Sequence, residues 1–406
     1  MSPAAGGGLH VFLAAGEESG DRLGAALMHA LKAQTGGLVR FSGVGGRHMA
    51  EEGLASLFPL GELAIMGFSA IPAALPKILR RIRQAADAAI AARPDVVVII
   101  DSPEFTHRVA RRIRKRAPKI PIVDYVCPSI WAWRPGRARA MRRYIDHVLA
   151  LLPFEPTVLR RLDGPPGSYV GHPLSERVDE LRPRAEEARR RESNPPLILV
   201  MPGSRAGEIH RMQDIFGDAL ERVHMQIGEM EIVVPTVPHL AALVEDAVAK
   251  WSVPARVVAD TGQKNVAFRR ARVALTKSGT STLELAIAGV PMVAAYRVSA
   301  IEAMIGRLLI TAPSAILTNL ILGENVIPEF LQEDCTADHL AEALIPLFND
   351  TAERRRQLAA FARLDNVMEI GRLVSASDRA ASIVLQIASG LNQTGREAVA
   401  SGAPRA

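Results

Sequence analysis

Asp101 follows directly on Val96-Val-Val-Ile-Ile100, the clearest strand in the sequence. A near-continuous β-branched run fits a central parallel strand covered on both faces. Ligands in open α/β sheets bind beyond the carboxyl ends of such strands, so a carboxylate at Asp101 stands where a base can act. Glu104, in the same turn, is a second candidate. The string Asp101-Ser-Pro-Glu104 also reads as a helix start, with Asp101 or Ser102 as cap and Pro103 in the first turn. The sequence leaves both readings open.

Lys277-Ser-Gly-Thr-Ser-Thr-Leu-Glu-Leu-Ala-Ile-Ala-Gly-Val-Pro291 offers a different chemistry. Ser278, Gly279, Thr280 and Ser281 are small, so a charged ligand group can approach the backbone closely. Free N–H groups and the helix dipole favour anions there, which makes the turn a diphosphate cradle. It also reads as an ordinary capped helix. Ser281 and Glu284 have capping-box spacing, Gly289 supplies a C-cap, and Pro291 blocks further helix. A second turn, Pro202-Gly-Ser-Arg-Ala-Gly-Glu208, carries Arg205, whose guanidinium can meet a phosphate as a fork of donors.

The elements that must position these residues come in two series. Leu9 to Ala15 reads as a strand, Gly16-Glu-Glu-Ser-Gly-Asp21 as its turn, and Leu23, Leu27 and Leu31 mark a helix. Strand, glycine turn and helix begin a doubly wound α/β domain. Strands at Arg40–Val44, Val96–Ile100, Pro121–Val126 and His147–Leu152 continue it, and the domain is expected to span 1–173. A charged run before Asn194-Pro-Pro196 is read as a linker, 174–195. The pattern then restarts over 196–365, with strands at Leu197–Met201, Glu231–Pro235, Ala255–Val258, Val273–Leu275 and Pro291–Tyr296. Residues 366–391 read as helices returning to the first domain, and 392–406 as a disordered tail. Two Rossmann-like halves are expected to face a central cleft, with Asp101 on one wall and Ser278–Glu284 on the other.

Two further stretches bear on partners. Leu60 to Arg83 carries Met66, Phe68 and other apolar residues, contains Pro72 and Pro76, and ends in Lys77, Arg80, Arg81 and Arg83. It suits a membrane interface or an acyl-chain site, or else a proline-interrupted core segment with a solvated basic end. The loop Cys127-Pro-Ser-Ile-Trp-Ala-Trp-Arg134 holds two of the three tryptophans. They could stack a base or a sugar, or anchor a core.

The chain has 406 residues, 48% of them hydrophobic but only 4% aromatic, so aliphatic side chains must fill two cores. A net charge of +6 is compatible with phosphorylated substrates, an anionic membrane surface or nucleic acid, but no nucleic-acid recognition motif is present. Cys127 and Cys335 match no metal spacing and fit a reducing compartment. The first eight residues make a poor signal peptide, and no apolar run is long enough for a transmembrane helix.

The chain resembles the lipid-A-disaccharide synthase family of bacterial glycosyltransferases. The matching segments are Gly16-Glu-Glu-Ser-Gly-Asp21, Glu62-Leu-Ala-Ile-Met-Gly67, Ile100-Asp-Ser-Pro-Glu-Phe105, Pro128-Ser-Ile-Trp-Ala-Trp-Arg134, Leu151-Leu-Pro-Phe-Glu155, Tyr169-Val-Gly-His172, Pro202-Gly-Ser-Arg205, Ser278-Gly-Thr-Ser-Thr-Leu-Glu284 and Pro291-Met-Val-Ala-Ala-Tyr-Arg297. The resemblance implies a GT-B fold and an inverting transfer that needs no metal or other cofactor. The implied donor is UDP-2,3-diacylglucosamine and the implied acceptor 2,3-diacylglucosamine 1-phosphate. The products would be a β-1,6-linked disaccharide 1-phosphate and UDP, made at the cytoplasmic face of the inner membrane by a peripheral protein. A homo-oligomer is compatible with the sequence.

By the same resemblance, Asp101 is the general base, Arg205 and Asn319 contact UDP, Glu284 lies near the ribose, and Gly16, Ser19 and Gly20 face the acceptor. Thr318 stands where the family commonly has proline, and Lys277 where it has a small residue. Two alternatives remain at this point: an enzyme like UDP-N-acetylglucosamine 2-epimerase, and a nucleotide-binding protein without turnover.

Overall fold

The computed structural model describes residues 8–63, 71–310 and 312–390. The chain divides into two compact units. One runs to Pro173 and takes up the chain again from Arg372; the other is Leu174–Gly371.

The first unit is built on six strands: β1 (Leu9–Ala15), β2 (Val39–Val44), β3 (Val96–Ile100), β4 (Ile122–Tyr125), β5 (His147–Ala150) and β6 (Gly167–Tyr169). They lie in the order β2-β1-β3-β4-β5-β6, all parallel. Both faces of the sheet are covered. Phe12 and Ala14 of β1 join Val97 and Ile99 of β3 in one core. Val11, Leu13 and Ala15 join Val96, Val98 and Ile100 in the other. Period-two alternation sends neighbouring residues to opposite faces, so a continuous apolar run serves two cores at once. Each buried Val, Leu, Ile or Phe side chain contributes roughly 1.5–3 kcal/mol by leaving water. The helix Ala376–Ala388 packs on the helix Glu18–Thr35, adding Ala380, Ala381 and Val384 to the second core.

The second unit carries β7 (Leu197–Met201), β8 (Glu231–Pro235), β9 (Ala255–Val258), β10 (Val273–Lys277), β11 (Met292–Tyr296) and β12 (Glu329–Leu331). Their order is β12-β11-β10-β7-β8-β9, again all parallel. Read from β9, this is the strand order of dinucleotide-binding sheets, with the direction of winding reversing between β7 and β10. The corresponding reversal in the first unit falls between β1 and β3. The short edge strands β6 and β12 carry no apolar run that a sequence pattern could reveal.

Residues 174–195, expected as a linker, are folded. They form short helices within the second unit, including Val178–Leu181 and Ala185–Arg191. Leu181 is fully buried. Arg191 is buried too, and its guanidinium donates to the carbonyls of Phe268, Arg269, Ala288 and Gly289. Burial pushes Arg191 down to about 10. In this run, read as a linker, Arg191 is held by backbone oxygens. The helix Ala352–Val367 stays with the second unit, and the chain joins the first from Arg372. The expected tail, 392–406, lies outside the described residues.

Candidate active site

Asp101 lies at the winding reversal of the first sheet, immediately after β3. Asp101 and Ser102 both have left-handed backbone, with φ of 54° and 43°. Two consecutive non-glycine residues in that region store strain of order 1–3 kcal/mol each. Their surroundings hold them there. Asp101 N donates to Tyr125 O at 3.0 Å, and Thr106 Oγ1 donates to Asp101 O at 2.6 Å. The carboxylate is fixed as well: Ser102 N donates to Oδ1 at 2.8 Å and Ser19 Oγ to Oδ2 at 3.0 Å. Ser102 is the N-cap position of the helix Pro103–Arg116, but no side chain caps it. The capping reading of Asp101 therefore fails, and its carboxylate remains directed at the turn after β1.

That turn is Gly16 to Ser19. A Cβ on Gly16 would stand 2.4 Å from Ser102 Cβ, so only glycine lets the two turns approach. Gly20 lies under β3, where a Cβ would be 3.1 Å from Ile100 O. Asp21, from the same motif, is buried and accepts from the N–H groups of Gly46, His48 and Met49, so it fixes the turn after β2. Glu17 was passed over by the sequence reading. Desolvation followed by the Asp101 charge raises its carboxyl above the usual range. The adjacent acidic pair Glu17-Glu18 inside a glycine turn was the signal available for it. Glu104 behaves oppositely. Desolvation pushes it up, but Arg137 and Arg108 outweigh that and hold it low. A carboxylate so held is the poorer base.

In the second unit a cavity of about 260 Å³ sits at the β7/β10 reversal. Gly203, Ser204 and Arg205 line it from the turn after β7, and Lys277, Gly279, Thr280 and Ser281 from the end of β10 and its turn. Gly203 has φ +143°, and a Cβ there would meet Glu208 Cβ at 2.6 Å. The loop wraps over Glu208, which is only 4% exposed. Ser204 N donates to Glu208 Oε2 at 3.0 Å, and Lys277 Nζ lies 3.1 Å from Oε1. Burial pushes the Glu208 carboxyl up, but Lys277, the Ser204 N–H and Arg205 bring it below the usual range. Arg205 reaches the same carboxylate at 3.5 Å, yet its side chain is 82% exposed, so its head is free to turn to a ligand.

The helix start and three residues read as ligand contacts have other partners here. The capping box is not formed: Thr280 is the N-cap, without a side-chain bond, and Ser281 is the first residue of the helix Ser281–Ile287. Glu284 instead accepts from Arg177 at 3.4 Å and lies 3.6 Å from Lys264 Nζ. Asn319 is buried and turned into the protein. It donates to Ile327 O and accepts from the N–H groups of Val326 and Ile327, which occupies its amide in holding that loop. Ser278 is also buried and donates to Ala315 O, so the pocket wall begins at Gly279 on that side.

Of the proposed lipid-facing residues, Met66 and Phe68 lie outside the described residues. Arg81 is not part of a solvated basic end. Its guanidinium donates twice to Glu62, at 3.0 and 2.7 Å, and lies over the Phe58 ring. Lys77 lies 3.2 Å from the same carboxylate, while Arg80 is exposed. In the tryptophan loop, Trp131 Nε1 donates to the buried Glu155, and Arg134 stacks on Trp133.

A family model described as lipid-A-disaccharide synthetase matches residues 11–383. The chain belongs to this family. It is a hexosyltransferase of lipid A biosynthesis. The lipid-A-disaccharide synthase of Nitrobacter hamburgensis is 60% identical over 383 residues, covering 94% of this chain and 96% of the relative. Among solved structures, Acinetobacter baumannii MurG is similar with a TM-score of 0.56 at 16% identity, covering 93% of this chain and 99% of that one. UDP-GlcNAc 2-epimerase of Neisseria meningitidis, bound to UDP-GlcNAc, is similar with a TM-score of 0.57 at 13% identity, covering 93% and 100%. At these identities the structural likeness is one of fold, and the fold is of the GT-B type with two Rossmann-like units. The family match separates this chain from the epimerases that share its architecture.

Proposed function

We propose that this enzyme transfers a 2,3-diacylglucosamine residue from UDP to the 6-hydroxyl of 2,3-diacylglucosamine 1-phosphate. Asp101 carries the reading beyond the family assignment. Its carboxylate has no cationic partner among the described residues, and it is oriented by Ser19 and by its own backbone turn. It accepts the proton of the attacking hydroxyl, and the oxygen displaces UDP from the anomeric carbon in one inverting step. A base so placed contributes about 10²–10⁴-fold.

The leaving diphosphate gains negative charge as the bond to the sugar breaks. Arg205, Lys277 and the turn Gly279–Ser281 supply the donors that stabilise it. Glu284 acts on the nucleotide through Lys264, which it holds at the pocket wall. No metal is assigned a part.

The membrane contact belongs to the same proposal. No helix among the described residues is long and apolar enough to cross a membrane. The helix Ile71–Ala92 exposes Leu75 and Leu79 beside Arg80 and Arg83, a mixture that suits the anionic cytoplasmic face of the inner membrane. Met66→Ser with Phe68→Ser should weaken binding to anionic vesicles or raise KM for acylated substrates; no change in either would remove this surface.

The deciding assay measures UDP release with donor alone and with donor plus acceptor. Release only in the presence of the acylated acceptor supports transfer. Turnover of plain UDP-N-acetylglucosamine to its epimer would replace it.

A further inference from the structure

A second concave site in the first unit has no part in the chemistry above. The helix Pro103–Arg116 and the segment 134–137 line it with Glu104, His107, Arg108, Arg111, Arg134 and Arg137. Four guanidiniums surround one carboxylate. Glu104 accepts from Arg137 at 2.9 Å and from Arg108 at 3.4 Å. Among the described residues, Arg111 and Arg134 have no carboxylate partner. Gathering like charges in one hollow is unfavourable unless an anion enters it.

The site is also braced from beneath. Asp124 and His107 are both buried, and His107 Nε2 lies 3.0 Å from Asp124 Oδ2. The other ring nitrogen, Nδ1, is 3.1 Å from the Tyr144 hydroxyl. That hydroxyl accepts from Arg111 Nη2 at 3.1 Å, and the guanidinium lies over the Tyr144 ring. The Arg134 guanidinium lies over the Trp133 ring, 4.3 Å from its centre. A solvated charged face needs no such bracing. Arg111 and Arg134 are instead pre-oriented, which lowers the entropy lost on binding.

We propose that this pocket binds the phosphomonoester of the acceptor sugar. The proposal rests on the transfer reading above. Glu104 follows Asp101 by three residues, and Arg108 and Arg111 succeed it on the same helix face. The pocket therefore adjoins the candidate base within one unit. A phosphomonoester carries about −1.5 to −2 charges at neutral pH, which four arginines and one glutamate are suited to neutralise. Arginine forks match its oxygens in geometry as well as charge. The same chemistry would receive an anionic lipid headgroup, but the position of the pocket on the helix that starts beside Asp101 favours the acceptor. Lys77 and Arg81, by contrast, already share Glu62.

The test uses the full chain carrying Arg111→Gln, Arg134→Gln or both, assayed in detergent micelles. Two acceptors are compared, one with the 1-phosphate and one with a free 1-hydroxyl. The expected result is a rise of about tenfold in KM for the phosphorylated acceptor per arginine, the effect of losing one charge-assisted bond. KM for the donor should not move, and with the unphosphorylated acceptor the variants should match the wild type. Equal shifts with both acceptors, or none, would overturn the proposal. So would loss of binding to anionic phospholipid vesicles with the acceptor KM unchanged, since the pocket would then serve a headgroup. If Arg111→Gln lowers the melting temperature, Arg134→Gln, at an exposed position, carries the test. Absence of UDP release by the wild type would defeat the transfer reading; titration of the phosphorylated acceptor into wild type and variants would still decide the pocket.

Discussion

Lys277 Nζ lies 3.1 Å from Glu208 Oε1, joining the end of β10 to the first turn of the helix after β7. Glu208 is 4% exposed and the Lys277 side chain 18% exposed, so the pair is largely withdrawn from water. Lys277→Met should leave the carboxylate without its nearest counter-charge and cost about 3 kcal/mol in urea unfolding. Adding Glu208→Gln should recover part of that loss. Simple additivity of the two changes would show that the pair is not coupled.

Arg205 shares that carboxylate more loosely, with an exposed head. Arg205→Ala should leave the melting temperature unchanged and weaken UDP binding by about 1.5–3 kcal/mol, read by titration calorimetry. Unchanged UDP affinity would take Arg205 out of the diphosphate site.

Asp101→Asn should suppress kcat by about 10²–10⁴-fold while KM for the UDP-sugar stays near the wild-type value. Near-normal turnover would remove Asp101 from the role of base.

Desolvation and the neighbouring Asp101 charge raise the Glu17 carboxyl above the usual range. Glu17→Gln removes this raised carboxyl from beside the candidate base. The acid limb of the kcat/KM profile should therefore move to lower pH. A limb that stays in place would mean that Glu17 has no influence on the reacting group.

Glu155 is 3% exposed, and desolvation raises its carboxyl to about 7, against the Leu152 N–H and the Trp131 indole that favour its charge. A group raised in the folded state stabilises fully below its unfolded value and loses that stabilisation as pH climbs. Stability of the first unit should fall between about pH 4.5 and 7, by at most about 3 kcal/mol. Glu155→Gln should flatten the melting-temperature profile across that window. A slope unchanged in the variant would assign the pH dependence to other groups.

Much of the fold was legible in the sequence because buried parallel strands leave a mark in it. Leu9–Ala15, Val96–Ile100, Leu197–Met201, Glu231–Pro235 and Ala255–Val258 have the same bounds in the structure as in the pattern. Asp101 was conspicuous because the longest β-branched run stops at it. The strands β6 and β12 were missed because each has only three residues and no apolar run to mark it. The segment 174–195 was read as a linker because a charge run before Pro-Pro gives no sign of the distant carbonyls that hold Arg191.

By itself, the sequence determined where the central apolar strands run, and so which turns follow them. Pairing between distant side chains was decided only by tertiary structure. Ser281 and Glu284 have the spacing of a cap, yet Glu284 bonds across space to Arg177 and lies beside Lys264. Asn319 reads as a polar ligand contact, yet its amide holds the loop at Ile327. Lys277 stood out in the sequence only as an unusual residue at its position, and the fold set it beside Glu208. Hydrophobic burial is periodic along the chain and can be read locally. A hydrogen bond or ion pair needs two partners, and only the folded backbone fixes which ones meet.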